Sequence, residues 1–169
     1  MSKPLMSEDL NRRLVELLLE EGRISHAELA ERLGVSRPTI IERVKRLETE
    51  GVISGYSARV TPAAVLKPSV AFVSVRHRYG DDDALEAAYL EALRNEPDVL
   101  EAHSMAGEDC LLLKIVADTP MGIHDRLKRI RSLGEQVSTR TSIVLQTHFV
   151  KPGPSPFPPD LAIPRKTKK

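Results

Sequence analysis

The N-terminal third of the chain repeats apolar residues at helical spacing. The first stripe consists of Leu10, Leu14, Leu17 and Leu18. Ser25 and Glu28 then form a capping-box pattern, which opens a second, shorter helix that ends at Gly34. Ser36 suits the N-cap of a third helix, and this helix accepts Pro38 in its first turn. The pattern therefore predicts three helices, the last two of which are joined by a tight turn.

The third helix is predicted to bury one side and to expose the other. Its buried stripe consists of Ile40, Val44 and Leu47. Gly51 ends the helix, and residues 52–60 are predicted to form a small wing of two short strands. The outward face and its flanks carry cations and hydrogen-bonding groups, namely Ser36, Arg37, Pro38, Thr39, Glu42, Arg43, Lys45 and Arg46.

A helix with such a face fits the major groove of duplex DNA, where Arg pairs with guanine and other cations contact phosphates. The side chains predicted to contact base edges are Arg37, Thr39 and Glu42. Those predicted to contact phosphates, which give affinity without much sequence choice, are Arg43, Lys45 and Arg46. Two alternatives stay open at this point: a three-helix bundle with solvated charges, and a small-molecule-binding oligomeric protein whose helix-turn-helix serves only protein contacts.

The apolar periodicity changes after a linker predicted over residues 61–68. Strands are predicted over 69–78, 99–106, 110–117 and 137–149, and helices over 81–95 and 119–133. This β-α-β-β-α-β order is the plan of a ferredoxin-like domain, in which both helices cover the same face of an antiparallel sheet. The predicted fold class is α+β, with a winged helix-turn-helix over 1–60 and the ferredoxin-like domain over 69–150.

The first strand of this second domain is apolar on both of its faces. Val70 and Phe72 point to one face, and Ala71, Val73 and Val75 point to the other. Because the helices cover only one face, we predict that the other face packs against a second copy of the chain across a two-fold axis. The protein is therefore expected to be a dimer or a larger assembly of itself.

Composition and charge narrow the class of protein. The 169 residues are 41% hydrophobic and 29% charged, which is typical of a globular protein. Since the net charge is only +1, attraction to nucleic acid must come from a local basic face. An aromatic content of 4% without Trp disfavours base stacking on single strands. Neither a membrane-spanning run nor a signal segment is visible, so a cytoplasmic location with no membrane partner is predicted.

No cofactor, metal or catalytic group is predicted. The five histidines show no paired metal-ligand spacing, and the single Cys110 excludes an internal disulfide. A nucleophilic triad of His103, Ser104 and Asp109 is disfavoured, because nearness in sequence is not triad geometry and no nucleophile-elbow pattern surrounds Ser104. We therefore predict that the chain is not an enzyme.

The last segment, residues 151–169, holds six of the twelve prolines and ends in a basic run. This composition cannot build a core, so the segment is predicted to be disordered. Its simpler interpretation is a solvated terminus, and the alternative is a basic tail that tethers the protein to DNA.

Four segments of the first domain carry a more specific signal: GRIS at 22–25, ELAERLGVS at 28–36, RVKRLE at 43–48 and GVISGY at 51–56. Together they resemble the DNA-binding signature of the Lrp/AsnC (leucine-responsive, feast/famine) transcriptional regulators. The resemblance covers about residues 8–150 and implies a regulator that binds double-stranded operator DNA. It further implies that the C-terminal domain responds to an amino acid, and that dimers form through its sheet and often assemble into tetramers or octamers.

In this family effectors usually bind between dimers, and the corresponding loop here is Ala106–Cys110. Backbone N–H groups near Gly107 could bind the carboxylate of an amino acid, and Asp109 could bind its ammonium group; the alternative is a hairpin turn with polar residues. The usual acidic residue of the loop falls on Cys110, and the usual Asp of the first helix falls on Asn11. The predicted effector residues are His103, Ser104, Ala106, Gly107, Glu108, Asp109, Cys110, Thr139 and Thr141.

Overall fold

The computed structural model describes residues 8–78 and 82–157. The chain divides into two compact units, one of which comprises Met1–Ala58 and Phe149–Lys169, and the other Arg59–His148. It therefore passes from the first unit to the second and back again. Among the described residues, no helix combines the length and the apolar character that crossing a membrane requires.

Three helices build the first unit: α1 (Asp9–Glu20), α2 (His26–Leu33) and α3 (Arg37–Thr49). The predicted capping box opens α2, since the Glu28 backbone N–H donates to Ser25 Oγ at 3.1 Å. Gly34 ends α2 with a φ of 68°, a left-handed conformation that favours glycine. The buried core consists of Leu14, Leu29, Ala30, Ile40, Val44 and Leu47. The predicted three helices are thus confirmed.

Residues 52–60 contain no strand. The backbone N–H groups of Val52 and Ile53 both donate to the Leu47 carbonyl, at 2.9 and 3.1 Å, and turn the chain over the end of α3. A pair of strands this short is marginally stable without further strands beside it. The two short strands predicted for this segment are therefore not formed, and the segment continues as irregular chain.

The second unit is an antiparallel sheet covered by two helices. A short 3₁₀ helix (Pro62–Val65) lies in the predicted linker. The elements that follow are β1 (Ser69–Arg76), α4 (Asp83–Arg94), β2 (Val99–Ser104), β3 (Leu111–Ala117), α5 (Pro120–Ser132) and β4 (Ser138–Ile143). The strands lie in the order β2-β3-β1-β4, and each neighbouring pair is antiparallel. This arrangement confirms the predicted ferredoxin-like βαββαβ fold.

Both helices pack on the same face of the sheet. Val73 and Val75 of β1 are fully buried there, and α4 and α5 are joined by the Tyr89 hydroxyl, which donates to the Ile130 carbonyl at 3.2 Å. The opposite face, here called the open face, carries Phe72, whose exposed fraction is 40%. The predicted division of β1 into two apolar faces is therefore confirmed, with one face left uncovered.

The last strand is shorter than the sequence predicts. β4 was expected to reach residue 149, but it ends at Ile143, which pairs with Ala71. The Val144 N–H still donates to the Val70 carbonyl at 2.9 Å. Because β1 begins at Ser69, the residues after 144 have no neighbouring strand to pair with, although their sequence remains strand-like.

Three predictions fall partly outside the described residues. Of the first domain predicted over 1–60, residues 1–7 lie outside them. The helix expected from residue 81 begins at Asp83 behind the N-cap Asp82, and residue 81 itself lies outside them. Of the segment predicted to be disordered, residues 158–169 also lie outside them. Residues 151–157 are described, and they contact α1.

A buried carboxylate holds the linker against the second unit. Asp98 is only 5% exposed, and its two oxygens accept hydrogen bonds from Lys67 of the linker and from Arg126 of α5. Burial alone would raise the pKa of Asp98, but the hydrogen bonds from Lys67 and Arg126 outweigh it, so the pKa lies below its ordinary value of 3.8. The ion pairs therefore stabilise the folded unit at neutral pH.

Replacing Asp98 with Asn should lower the free energy of unfolding by about 1–2 kcal/mol at pH 7, because two cations lose their buried acceptor. A carboxyl whose pKa is lowered by folding stabilises the fold above its unfolded-state pKa, and that stabilisation is lost as the pH falls through the folded-state pKa. Thermal unfolding of both proteins should therefore show a gap in Tm at pH 7 that narrows once the pH falls below the ordinary pKa of 3.8. A gap that is constant from pH 7 to pH 2.5 would contradict this assignment.

Candidate nucleic-acid interface and effector loop

The start of α3 is fixed by two hydroxyl side chains. The Thr39 backbone N–H donates to Ser36 Oγ at 3.3 Å, and the two side-chain oxygens lie 2.8 Å apart. Pro38 occupies the first turn, as predicted. Ser36 and Thr39 thus hold the helix start rigidly, and they present the hydroxyl pair beside the exposed face of α3.

The outward face of α3 lies opposite its buried stripe. Ile40, Val44 and Leu47 are at most 5% exposed. The predicted contact residues that the structure leaves exposed are Ser36, Arg37, Pro38, Glu42, Lys45 and Arg46. Of these, the residues on the side opposite the stripe are Pro38, Glu42, Lys45 and Arg46, whereas Arg37 flanks that side. Arg46 pairs with Glu50 one turn on, at 3.0 Å, in an exposed pair of the kind that contributes little and that a phosphate can replace.

Arg43 is placed differently from the other predicted contact residues. Its guanidinium donates to the carboxylate of Glu8 and, at 3.3 Å, to Asn11 Oδ1. Asn11 is fully buried, and the Arg43 side chain is half-buried. Arg43 therefore joins α3 to the start of α1. Local sequence spacing carries no signal for this contact, because Glu8 and Arg43 are 35 positions apart.

The predicted effector loop, Ala106–Cys110, connects β2 to β3. It is closed by the Met105 N–H, which donates to the Cys110 carbonyl at 2.9 Å. Gly107 has a φ of 142°, a backbone angle that residues other than glycine rarely adopt. Residues 106–108 are exposed, whereas the Asp109 side chain is 21% exposed. The loop is a tight turn that holds one acidic side chain against the sheet.

Two arginines that the sequence analysis did not select contact this loop. Arg140 Nη2 donates to Asp109 Oδ2 at 2.7 Å. Arg76 Nη2 donates to Glu108 Oε2 at 3.3 Å and lies 3.9 Å from Asp109 Oδ1. Arg140 lies between Thr139 and Thr141, so strand alternation sends it to the opposite face of β4. This alternation of side chains along β4 is the sequence signal that could have identified Arg140.

The remaining predicted effector residues fall on both faces of the sheet. The residues whose strand partners face the helices are Ser104, Thr139 and Thr141, which pair with Leu111, Val75 and Val73. Thr139 Oγ1 accepts a hydrogen bond from Arg131 at 3.2 Å. His103 alternates with Ser104 and therefore points to the open face. The structure thus separates the threonines from His103, and a triad of His103, Ser104 and Asp109 is not formed.

The Cys110 side chain is part of the packing of the second unit. It is half-buried, packs against the core of the second unit, and its Sγ lies 3.7 Å from the His77 carbonyl oxygen. Its backbone N–H donates to the Val75 carbonyl at 2.9 Å. Among the described residues, no group of three or more His, Cys, Asp and Glu side chains is placed to hold a metal ion. The charged groups of the loop are Glu108 and Asp109, which contact Arg76 and Arg140.

Comparison with known proteins agrees with this architecture in both units. Residues 7–54 match the sequence model of the winged helix-turn-helix DNA-binding domain, and residues 70–154 match that of the Lrp/AsnC ligand-binding domain. The chain belongs to the Lrp/AsnC family of transcriptional regulators. The resemblance noted in the sequence is confirmed, and the function of this regulator is DNA-dependent control of transcription rather than catalysis.

Individual relatives share most of their length with this Lrp/AsnC regulator. The HTH-type transcriptional regulator LrpA of Mycobacterium tuberculosis is 35% identical over 84% of this chain and 92% of its own. The leucine-responsive regulatory protein of Rhizobium meliloti is 33% identical over 81% and 88%. The structure of the feast or famine regulatory protein of M. tuberculosis complexed with L-methionine superposes with a TM-score of 0.78 at 35% identity, covering 88% of this chain and 98% of that one.

Replacing Arg43 with Ala should destabilise the first unit by about 1–2 kcal/mol, because the buried Asn11 and the Glu8 carboxylate lose a shared donor. Arg37→Ala, an exposed change on the same helix, should stay within about 0.5 kcal/mol of the parent. Urea unfolding followed by circular dichroism measures both variants. Equal stabilities would mean that Arg43 does not hold α1 and α3 together.

Proposed function

We propose that this regulator inserts α3 into the major groove of operator DNA. The single observation that carries the proposal is the exposed face of α3, on which cations and hydrogen-bonding groups stand opposite a fully packed stripe. An α-helix fits the major groove, and residues near its start reach the base edges. A face with this polarity has no role in the packing of the first unit.

We divide the side chains of α3 into three roles. Those that reach base edges are Arg37, Thr39 and Glu42, and those that neutralise phosphates are Lys45 and Arg46. Arg43 is engaged with Glu8 and Asn11, so its main role is to orient α3 on α1. Ser36 and Pro38 set the position of the helix start, where the backbone N–H groups attract a phosphate.

We also propose that two chains associate through their open faces. Phe72 is 40% exposed at the centre of a sheet that the helices cover on one side only. Burying this face against its own copy removes apolar surface from water and gives a closed two-fold dimer. A dimer places two copies of α3 on half-sites that are separated by whole turns of the DNA helix. Such a regulator works in the cytoplasm, where the DNA is.

The loop Ala106–Cys110 is the proposed site of an amino-acid effector. It combines the arginines Arg76 and Arg140, which can bind a carboxylate, with Asp109, which can bind an ammonium group. A relative of similar fold was crystallised with L-methionine. Because Arg140 already pairs with Asp109, an amino acid that binds here must exchange this ion pair for its own two charges. That exchange changes the surface of the loop and can shift the assembly equilibrium.

Arg46→Ala should weaken binding to every duplex and reduce the salt dependence, since about one phosphate contact is lost in each protomer. Arg37→Ala should weaken binding to the operator by about 1–3 kcal/mol and binding to random duplex much less. Both effects are measured by fluorescence anisotropy across a salt series. The two DNA samples are a duplex from upstream of the protein's own gene and a random duplex.

The control for these two variants is Lys128→Ala, which removes an exposed cation of α5 and should leave both affinities unchanged. If Arg37→Ala and Arg46→Ala each lost as much affinity for operator as for random duplex, the division of roles would be contradicted. Failure of the parent protein to prefer any upstream duplex, with or without amino acids, would overturn the proposed insertion of α3.

L-Methionine or another amino acid should raise the Tm of the parent protein or change its state of assembly. A change of assembly would appear in light scattering as a change in the number of dimers per particle. Ligand at 100 times its Kd stabilises the bound state by about 2.7 kcal/mol. Arg140→Gln should remove this response, and Lys128→Gln should keep it. An unchanged Tm, mass and operator affinity with all amino acids would overturn the effector proposal, and a monomeric mass would overturn the dimer.

A further inference from the structure

The first unit contains a cavity on one flank of α3. Its volume is about 490 Å³, which lies within the range of small-molecule sites. α3 contributes Ile41, Lys45 and Glu48, which are spaced i, i+4 and i+7 and therefore share one side of the helix. The rest of the lining comes from the end of α1, the turn into α2, and Tyr56. The cavity is thus built by residues of the DNA-binding unit.

The floor of the cavity is apolar. Leu18 and Ile24 pack there against the core of the first unit, and Val44 of that core closes the floor from α3. Ile41 extends the same surface towards solvent, with an exposed fraction of 42%. A phosphate gains nothing from an apolar surface, whereas the hydrocarbon part of a ligand removes that surface from water. The floor therefore favours a ligand with an apolar body.

Three side chains at the rim of the cavity can hold an anion. Arg23 and Lys45 are cations, and His26 offers its ring nitrogens at the start of α2. All three are exposed, and their side chains form no ion pair or hydrogen bond within the described part of the chain. By contrast, Arg43 and Arg46 of the same unit are each paired with a glutamate. The rim therefore keeps two cations available for the carboxylate of a ligand.

Glu48, the acidic residue of the lining, is engaged with Tyr56. The Tyr56 hydroxyl donates to the Glu48 carboxylate. Burial, together with this hydrogen bond, raises the pKa of Tyr56 above its ordinary value of 10.0, so the phenol keeps its proton at neutral pH. Because this donor partly satisfies the carboxylate of Glu48, the charge that a ligand meets in the cavity is set mainly by Arg23 and Lys45.

Lys45 belongs both to the cavity and to the DNA-facing side of α3. Its neighbours in the cavity are Ile41 and Glu48, and its neighbours on the outer side are Glu42 and Arg46. One ammonium group cannot lie against a phosphate of the duplex and over the cavity at the same time. A carboxylate that pairs with Lys45 therefore takes this cation from the DNA and adds a negative charge beside the duplex.

We propose that the cavity binds a small organic carboxylate with an aromatic or branched hydrocarbon body, and that this ligand competes with duplex DNA for Lys45. The body covers the apolar floor, and the carboxylate pairs with Arg23 and Lys45. The competition rests on the proposed binding of duplex DNA by α3, whereas the cavity itself does not. Because the lost contact is to a phosphate, the ligand weakens binding to operator and to random duplex by the same factor.

The probe is indole-3-acetate, and its neutral counterpart indole-3-acetamide has the same ring without the charge. Because the chain contains no Trp, the fluorescence anisotropy of the indole ring reports binding directly. The acid should bind saturably, and the amide should bind about fivefold more weakly, which is the factor expected from one exposed ion pair. Inorganic phosphate at the same concentration should not displace the acid, because phosphate has no apolar body.

Two variants test the two parts of the site. Arg23→Gln removes one rim cation and should weaken binding of the acid by up to about fivefold without affecting the amide. Ile41→Ser removes apolar surface from the floor and should weaken binding of the acid and the amide alike. The matched control is Arg13→Gln, which removes an exposed arginine of α1 outside the cavity and should bind both probes as the parent does. Circular dichroism checks that each variant is folded.

The competition is measured with labelled duplex DNA. Saturating indole-3-acetate should lower the affinity of the parent for operator and for random duplex by one common factor, and the amide should lower it less. By linkage, the duplex should lower the affinity for the acid by that same factor. In Lys45→Gln the binding of duplex starts weaker, and the acid should reduce it by a smaller factor than in the parent.

The outcomes separate the inference from the function on which it rests. A parent that binds duplex DNA but shows no saturable binding of the acid would overturn the inference alone. Equal binding of acid and amide, displacement of the acid by phosphate, or loss of binding in Arg140→Gln would also overturn it, since charge alone or another site would then hold the probe. Binding of the acid with no change in duplex affinity would overturn the competition. A parent that binds the acid as expected but no duplex would overturn the proposed function instead.

Discussion

The structure depends on the one-sided burial of its sheet. Two helices cover one face of four antiparallel strands, so every second residue of each strand is held in a packed core and the residues between them are left on the open face. Val73 and Val75 on the covered side fix the register. The same register brings Arg76 and Arg140 to the Gly107 loop and places Phe72 where a second copy can bury it. The proposed assembly and the proposed effector site thus both depend on one packing constraint.

In the first unit, the burial of one side of a helix has the same effect. Burial of Ile40, Val44 and Leu47 orients the outer face of α3, and the hydroxyls of Ser36 and Thr39 set where the helix begins. A recognition helix must be oriented to within a small angle to read base edges. The contact of Arg43 with Glu8 and Asn11 supplies a further restraint from α1, so this residue of α3 helps to fix the orientation of its own helix.

Several charged groups among the described residues are engaged with one another before any ligand arrives. Asp98 is held by Lys67 and Arg126, and Asp109 by Arg140. An effector at the loop or a phosphate at Arg46 must therefore replace an existing partner, which lowers the net gain from each contact. Exchange of partners is also the physical means by which ligand binding in the second unit can alter its surface.

The sequence by itself determined the elements, because capping residues, glycine stops and apolar spacing are local properties of neighbouring residues. It determined the helix-turn-helix from Ser25 to Thr49, the βαββαβ order and the two-faced character of β1. Contacts between residues far apart in sequence were decided only by the tertiary structure: the Arg43–Glu8 pair, the arginines at Asp109, the early end of β4 and the contact of residues 151–157 with α1. No periodicity encodes these features, since each depends on which surfaces the folded core brings together.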